Sequence, residues 1–215
     1  MIIEWLGHAC FLLQTDKGTK IVTDPYEPGS YGGAVAYSEI GVDADIVTVS
    51  HKHFDHAYTK IFTSAQIVDK PTKYNIKDVV IEGLLSYHDK RKGADRGENI
   101  IFIISVDGLK IAHFGDLGDI PQDIERLKDL DVALIPTGGT FTLGPQEAKE
   151  LVEKITPRIV IPMHFKTEKL GFDIEGVESF LKGFSNVERA NTSLLEVKKE
   201  NLPQGPKIIV LKHSR

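Results

Sequence analysis

Short apolar runs, separated by Gly, Pro and Asp, recur along the whole chain of 215 residues. Apolar runs of this length between turn-forming residues predict β-strands. The predicted strands cover residues 2–6, 10–14, 20–23, 46–49, 66–68, 79–85, 100–106, 110–113, 132–135, 159–161, 193–197 and 207–211. Asp107-Gly108 lies between two of these runs and predicts a tight hairpin turn.

Apolar residues at helical spacing predict three helices, over residues 121–130, 145–155 and 173–182. Pro145 stands at the first position of the second helix, where proline is favoured. A shorter helix is predicted just after His56. Strands and helices occur in both halves and no Ser/Gly or Pro linker divides them, so residues 1–215 are predicted to form one domain. Two sheets packed face to face with helices outside would use these elements.

The composition is that of an ordinary globular protein, with 41% hydrophobic and 27% charged residues. The single cysteine, Cys10, excludes an internal disulfide and a cysteine-rich zinc site. A net charge of −5 argues against a broad nucleic-acid groove, but it leaves room for a small anionic substrate. No secretory signal or membrane-spanning stretch is visible. We therefore expect a cytoplasmic protein with no membrane association.

The run His51-Lys52-His53-Phe54-Asp55-His56 follows a predicted buried strand. In extended backbone His51 and His53 project to the same side, where two imidazoles can bind one metal ion. A turn into a helix would direct Asp55 and His56 toward a second ion nearby. A single histidine here would be interpreted as a solvated loop residue, but three His and one Asp within six residues favour a metal site.

Two metal ions need more ligands than this run supplies, and further candidates stand where other predicted strands end. They are His88, Asp116 after the flexible Gly115, and His164. The ends of strands are where an open α/β architecture usually places its site.

With Asp24 in Thr23-Asp24-Pro25, these motifs occur in the order typical of the metallo-β-lactamase superfamily of hydrolases, which the chain resembles over essentially its whole length. The resemblance implies an α/β fold of the αββα sandwich type, with two mixed β-sheets packed face to face and helices on the outer faces. Residues 5–9 (Trp-Leu-Gly-His-Ala) and the later stretch 138–145 resemble the small stand-alone branch that includes ascorbate-6-phosphate lactonase.

The resemblance also implies the role of each residue. His51, His53 and His88 would bind the first metal ion. Asp55, His56 and His164 would bind the second, and Asp116 would bridge both. Asp24 would hold a ligand histidine by a hydrogen bond and fix its tautomer. Two alternatives stay open, namely Asp24 as a turn residue before Pro25 and His88 as an exposed loop residue.

Three further residues are candidates for contacts around the metal ions or the substrate. His8 could line the mouth of the site, and His113 could act directly or merely pack beside Asp116. Arg96 belongs to the basic segment 90–97, which could face an anionic substrate or be a solvated loop. The Gly-rich loop before Pro145 could receive an anion at a helix N-terminus or simply cap the helix.

Nitrogen and carboxylate ligands without thiolates suit Zn²⁺, and Mn²⁺ or Fe is also compatible. Two such ions would share a hydroxide that cleaves a small ester, lactone or phosphoester. Asp55 and Asp116 are the candidate catalytic carboxylates, Asp55 as a group that orients the nucleophile or carries a proton. The sequence-level alternatives are a nucleic-acid phosphodiesterase of the same superfamily and an iron protein with redox chemistry. The expected partner is a small molecule, anionic ones included, and a homo-oligomer stays open.

Overall fold

Two β-sheets form the framework of the computed structural model, which describes residues 1–215. The first sheet has the strand order β13 (Leu194–Glu196), β1 (Ile2–Gly7), β2 (Cys10–Gln14), β3 (Lys20–Thr23), β4 (Ile46–Thr48), β5 (Gln66–Val68). The second has the order β12 (Val187–Arg189), β14 (Lys207–Val210), β11 (Ile159–Met163), β10 (Val132–Pro136), β9 (Leu109–His113), β8 (Glu98–Val106), β7 (Val79–Tyr87), β6 (Lys73–Ile76).

Both sheets are mixed, which confirms the predicted fold class. In the first sheet, β3, β4 and β5 run parallel to one another and the other neighbours are antiparallel. In the second sheet, the strands from β12 to β9 run parallel and those from β9 to β6 antiparallel. Asp107 and Gly108 form the tight turn between β8 and β9, with left-handed φ values of 52° and 71°.

Alternate residues of the first sheet belong to different apolar clusters. Ile21 and Ile46 lie in the main core of 47 buried residues, which also contains the strands of the second sheet. Their neighbours Val22 and Val47 lie in a separate cluster of 12, with residues of the loop at 26–40. Because successive side chains of a strand point to opposite faces, this loop covers the outer face of the first sheet.

The helices are fewer and shorter than the sequence predicts. They are α1 (Ser30–Gly33), α2 (Pro145–Ile155) and α3 (Val177–Leu181). Only α2 has its predicted length, and it buries Ala148, Leu151, Val152 and Ile155 against the core. None of the helices has the length and apolar composition that a bilayer crossing requires.

Three helix predictions are wrong in extent. The segment 121–130 forms only a 3₁₀ turn, Ile124–Leu127, after which Lys128 is extended. The segment 173–182 is helical only from Val177, and the helix after His56 is the 3₁₀ turn Thr59–Ile61. Such short segments form too few helical hydrogen bonds to offset the cost of nucleation, so their surroundings decide their conformation.

Gly83 lies where β7 passes close to the segment at residues 70–71. A Cβ there would lie 2.7 Å from the carbonyl oxygen of Lys70 and 2.9 Å from Cα of Pro71. We expect Gly83→Ala to lower the free energy of unfolding by about 1–3 kcal/mol, because backbone atoms have to move. Gly205→Ala is the control, since a Cβ there meets nothing within 4 Å. Chemical denaturation giving equal stability for both variants would contradict this prediction.

Candidate metal centre

The candidate site is built at the ends of strands from both sheets. His8 directly follows β1, Asp24 follows β3, His88 follows β7 and His164 follows β11. Two further positions lie two or three residues beyond a strand. His51 comes shortly after β4, and Asp116 comes shortly after β9. The two sheets therefore bring together side chains that are more than a hundred residues apart in sequence.

Several of these positions have a left-handed backbone. His8, Asp24 and His164 have φ values of 53°, 39° and 48°, and Gly115, just before Asp116, has 54°. Non-glycine residues in this region cost of order 1–3 kcal/mol each and are common at functional sites. The left-handed residue turns the chain sharply where the strand ends, so that its own side chain or the next one faces the cluster.

The carboxylate of Asp116 lies at the centre of four imidazoles. Its Oδ2 atom is 3.2 Å from Nε2 of His88, 3.4 Å from Nε2 of His164 and 3.8 Å from Nε2 of His51. Its Oδ1 atom is 3.2 Å from Nε2 of His56. The site residues implied by the resemblance therefore converge on one carboxylate.

The donor atoms form three groups that could each hold a metal ion, and the two that share no residue are treated as separate clusters. His51, His53 and His88 form one, and His8, Asp55, His56 and His164 form the other. Within each cluster all donor atoms lie within 4.8 Å of one another. Apart from His8, which is additional, and Asp116, which is in neither cluster, these are the two ligand sets implied by the resemblance. His53 is half-buried and the other members are buried, so the first cluster is the more open one.

Asp24 organises the histidines of the run through buried hydrogen bonds. Its Oδ2 atom accepts a hydrogen bond from Nδ1 of His56 at 3.0 Å, and its Oδ1 atom accepts one from the Ser50 amide at 2.8 Å. The Ser50 hydroxyl donates to Asp24 and lies 2.9 Å from Nδ1 of His51. This network assigns the proton to Nδ1 of both histidines and leaves both Nε2 lone pairs free.

The buried carboxylates of the centre favour a positive charge beside them. Burial alone would raise the pKa of Asp116, but the imidazoles of His164 and His56 outweigh it and hold that pKa well below its ordinary value. Burial alone would lower the pKa of His56, but the carboxylates of Asp116 and Asp55 raise it well above its ordinary value. Without a metal ion, the carboxylates therefore favour the protonated form of His56, an imidazolium.

Unpartnered polar atoms show that the residues fit metal ions. Nε2 of His51, Nε2 of His56 and Oδ1 of Asp116 are buried without a hydrogen-bond partner, and so are Nδ1 of His88 and Nδ1 of His164. Most buried polar atoms in folded proteins are paired, so such a concentration needs an explanation. Nitrogen and carboxylate donors facing one another are what zinc and similar divalent ions bind.

His113 and Asn99 support the turn that carries Asp116. Nε2 of His113 donates to the carbonyl oxygen of Ala9 at 2.8 Å, and its Nδ1 accepts the Gly115 amide at 3.2 Å. The Asn99 amide group donates to the carbonyl oxygen of Phe114 at 3.0 Å and accepts from the Asp116 amide at 2.9 Å. Both ring nitrogens of His113 are thus occupied, so it packs beside Asp116 and lies outside both clusters.

A wall of aromatic rings borders the second cluster. The ring centroids of Tyr31 and Phe54 are 6.2 Å apart, those of Tyr31 and Phe172 5.4 Å, and those of Phe172 and Phe141 5.7 Å. The Tyr31 hydroxyl donates to Oδ1 of Asp55 at 3.3 Å. Tyr31 and Phe54 are exposed, so these rings form the solvent-facing rim. Sequence reasoning missed Tyr31, which lies in the short helix α1 and belongs to no motif.

Arg96 ends this wall, with its guanidinium 5.6 Å from the ring centroid of Phe141. It lines a cavity of about 460 Å³ that also contains His88, and another of about 530 Å³ that also contains His51 and His53. Arg96 forms no ion pair, whereas two other cations of the basic segment are neutralised. Lys90 pairs with Glu147, and Arg91 pairs with Asp95.

The backbone of the basic segment is fixed by Asp89, which sequence reasoning also missed. Its carboxylate accepts four backbone amides, from Arg91, Gly93, Asp95 and Arg96, at 2.7–3.0 Å. Burial alone would raise the pKa of Asp89, but these amides outweigh it and lower that pKa to about 2. The loop that carries Arg96 is therefore held in one conformation beside the metal centre.

Comparison with known proteins agrees with this fold and with a family of metal-dependent hydrolases. Residues 2–164 match the β-lactamase superfamily domain. A protein of Thermococcus kodakarensis named as a UPF0173 metal-dependent hydrolase is 34% identical over 193 residues, which cover 77% of this chain and 84% of that protein.

Solved structures give the same result. The crystal structure of a Thermotoga maritima protein, described as a candidate zinc-dependent hydrolase of the metallo-β-lactamase superfamily, is 37% identical. It aligns with a TM-score of 0.79 over 98% of this chain and 97% of that one. A candidate metal-dependent hydrolase of Parabacteroides distasonis, at 21% identity and a TM-score of 0.66 over 98% and 93% of the two chains, shows the fold alone. The chain therefore belongs to the β-lactamase superfamily and, within it, to the UPF0173 group of metal-dependent hydrolases.

Ser50 connects Asp24 to His51, so its hydroxyl is a test of the network. We expect Ser50→Ala to weaken metal binding by about 10–100-fold, because His51 loses the partner that fixes its tautomer. Ser105→Ala, on the exposed side of β8, is the matched control. Competition with a chelator gives both affinities, and unchanged affinity in Ser50→Ala would show that the network does not tune the site.

Proposed function

We propose that this protein is a hydrolase with two metal ions, zinc as the first choice, that cleaves a small ester, lactone or phosphoester. The observation that carries the proposal is the pair of donor clusters meeting at Asp116. When bound, two such ions polarise the substrate oxygen and lower the pKa of water toward neutrality. His51, His53 and His88 are the proposed ligands of the first ion. Asp55, His56 and His164 are those of the second, with Asp116 shared.

Asp55 is proposed to work at the boundary between the centre and the substrate. Its Oδ2 atom lies 3.0 Å from Nε2 of His8, and its Oδ1 atom accepts a hydrogen bond from the Tyr31 hydroxyl at 3.3 Å. These two contacts fix the orientation of the carboxylate. A carboxylate held in this way can orient a nucleophile or accept its proton. Tyr31, half-exposed above it, is placed to contact the substrate as well.

The surroundings of the centre favour a small substrate over a nucleic acid. Lys90 and Arg91 are paired with acidic side chains, so Arg96 is the arginine of the basic segment that is free to receive an anion. Arg96 is the one unpaired cation that lines the cavity of about 460 Å³, and a cavity of this size suits a single anionic group, whereas a polyanion needs an extended basic surface. The likeness to the ascorbate-6-phosphate lactonase branch stays a prediction.

The metal content of variants tests the two-ion centre. We expect about two equivalents of zinc per chain in the wild type, one in His53→Ala and fewer than one in Asp116→Ala, because Asp116 serves both clusters. Hydrolysis of a panel of lactones, thioesters and phosphodiesters should fall with the metal content. His213→Ala is the control, a histidine outside both clusters. Elemental analysis that finds full metal content in both site variants would overturn the proposal.

The role of Arg96 is tested with two substrates that differ in charge. We expect Arg96→Ala to raise KM for an anionic ester by about 10–100-fold, since a hydrogen bond to a charged group contributes about 1.5–3 kcal/mol. KM for its uncharged counterpart and kcat for both should change little. Lys92→Ala, an exposed cation of the same loop, is the control. Equal loss on both substrates would mean that Arg96 only supports the loop.

A further inference from the structure

His8 is the one member of the second cluster to which neither the sequence motif nor the proposed function gives a metal. It follows β1 in a left-handed conformation, with φ 53°, and it is fully buried. Its carbonyl oxygen accepts hydrogen bonds from Nε1 of Trp5 at 3.0 Å and from the His164 amide at 3.2 Å. The backbone is therefore fixed from two sides, and the side chain lies inside the centre, not at an open mouth as the sequence suggested.

The imidazole of His8 has the position of a ligand. Its ring centroid lies 4.1 Å from that of His164 and 5.0 Å from that of His56. Its Nε2 atom is 3.0 Å from Oδ2 of Asp55. Two ligands on one zinc ion, each about 2.0–2.2 Å from it, lie about 2.8–3.6 Å apart at octahedral or tetrahedral angles. The contact between Nε2 and Oδ2 falls in this range.

The hydrogen bonds of His8 also differ from those of a structural histidine. His113 is equally buried, and both of its ring nitrogens are bonded to backbone groups. In His8, Nδ1 has no partner, and the only contact of Nε2 is with the carboxylate of Asp55. Either neutral tautomer of His8 thus leaves a buried nitrogen unpaired, as the rings of His51 and His56 do at their free Nε2 atoms.

We propose that His8 is a direct ligand of the second metal ion, alongside Asp55, His56 and His164. The proposal rests on the two-ion centre of the proposed function and makes that centre asymmetric. The first ion would have three side chains besides Asp116, and the second would have four. Five protein ligands exceed the four of a tetrahedral structural zinc site. A catalytic zinc ion can take a fifth ligand, and Mn²⁺ or Fe²⁺ accepts five or six, so each of these ions suits the second position.

The test separates a ligand from a residue that only positions Asp55. His8→Gln keeps an N–H donor near the place of Nε2 but replaces the ring nitrogen with an amide, a poor ligand for these ions. His213→Gln is the matched control, a histidine that bonds to Glu168 away from the centre. Metal-free proteins are titrated with Zn²⁺ and with Mn²⁺ against a chelator, and the number of sites and both dissociation constants are measured.

We expect two ions in the wild type and in His213→Gln. In His8→Gln, one ion should bind with unchanged affinity and the other more than 100-fold more weakly, with the greater loss for Mn²⁺. Two sites of wild-type affinity in His8→Gln would overturn the ligand role and leave the two-ion centre intact. Fewer than two sites in the wild type would instead contradict the proposed function itself.

A measurement on the wild type covers the case in which His8→Gln does not fold. The zinc-loaded protein is crystallised, and the ions are located by anomalous scattering at the zinc edge. We expect a ring nitrogen of His8 about 2.0–2.1 Å from the second ion. An ion bound by Asp55, His56 and His164, with His8 bonded only to Asp55, would overturn the inference.

Discussion

Buried negative charge is the constraint on which the centre depends. The carboxylates of Asp24, Asp55 and Asp116 are all buried, and the groups that lie within ion-pair distance of them are imidazoles, with no lysine or arginine among them. A buried carboxylate is costly unless it is paired or coordinates a metal. Imidazoles can supply positive charge only by taking up protons, which would occupy the nitrogens that could bind an ion. The arrangement is therefore most stable when divalent cations replace those protons, which is why metal binding and the local fold are expected to be coupled.

The sandwich of sheets supplies the rigidity that this charge distribution requires. His8, Asp24 and His164 each stand one residue beyond a strand and turn out of it with a left-handed backbone. That strain persists only where the surrounding structure over-determines it, and here the last three residues of each preceding strand are buried. On a mobile loop, the distance between a histidine and a shared carboxylate could not be kept constant to a few tenths of an ångström. The backbone strain in these turns is thus a consequence of placing side chains of the centre directly after strands, which are the most rigid elements.

Sequence reasoning succeeded where the signal is local and failed where contacts are made across the fold. Each predicted strand is present, because buried strands need apolar residues. The two missed strands, β6 and β12, are the edge strands of the second sheet, and their side chains are largely exposed, so no apolar run marks them. The clustered histidines could be found because a metal ion demands particular residue types at close spacing. Ser50, Asp89 and Tyr31 could not, since each acts through a partner that only the tertiary structure brings near. His8 was noticed, but its burial was not foreseeable from a motif.

The proposed metal ligands and the rim residues are different parts of the site. The groups that would carry out the reaction are therefore distinct from those that would select the substrate. Four of the proposed ligands, His51, His88, Asp116 and His164, lie within three residues of a strand end, whereas His53, Asp55 and His56 lie in the turn that follows β4. The rim is formed by Tyr31, in α1, and by Phe54, Phe141 and Phe172, with Arg96 at one end, all four of them outside the regular strands and helices. Loops tolerate substitution and insertion far more readily than buried strands do. The proposed centre could therefore serve different substrates with little change. Under the proposed function, the aromatic wall would contact an apolar part of the substrate and the unpaired guanidinium of Arg96 would contact its anionic group, so both features together would define the substrate.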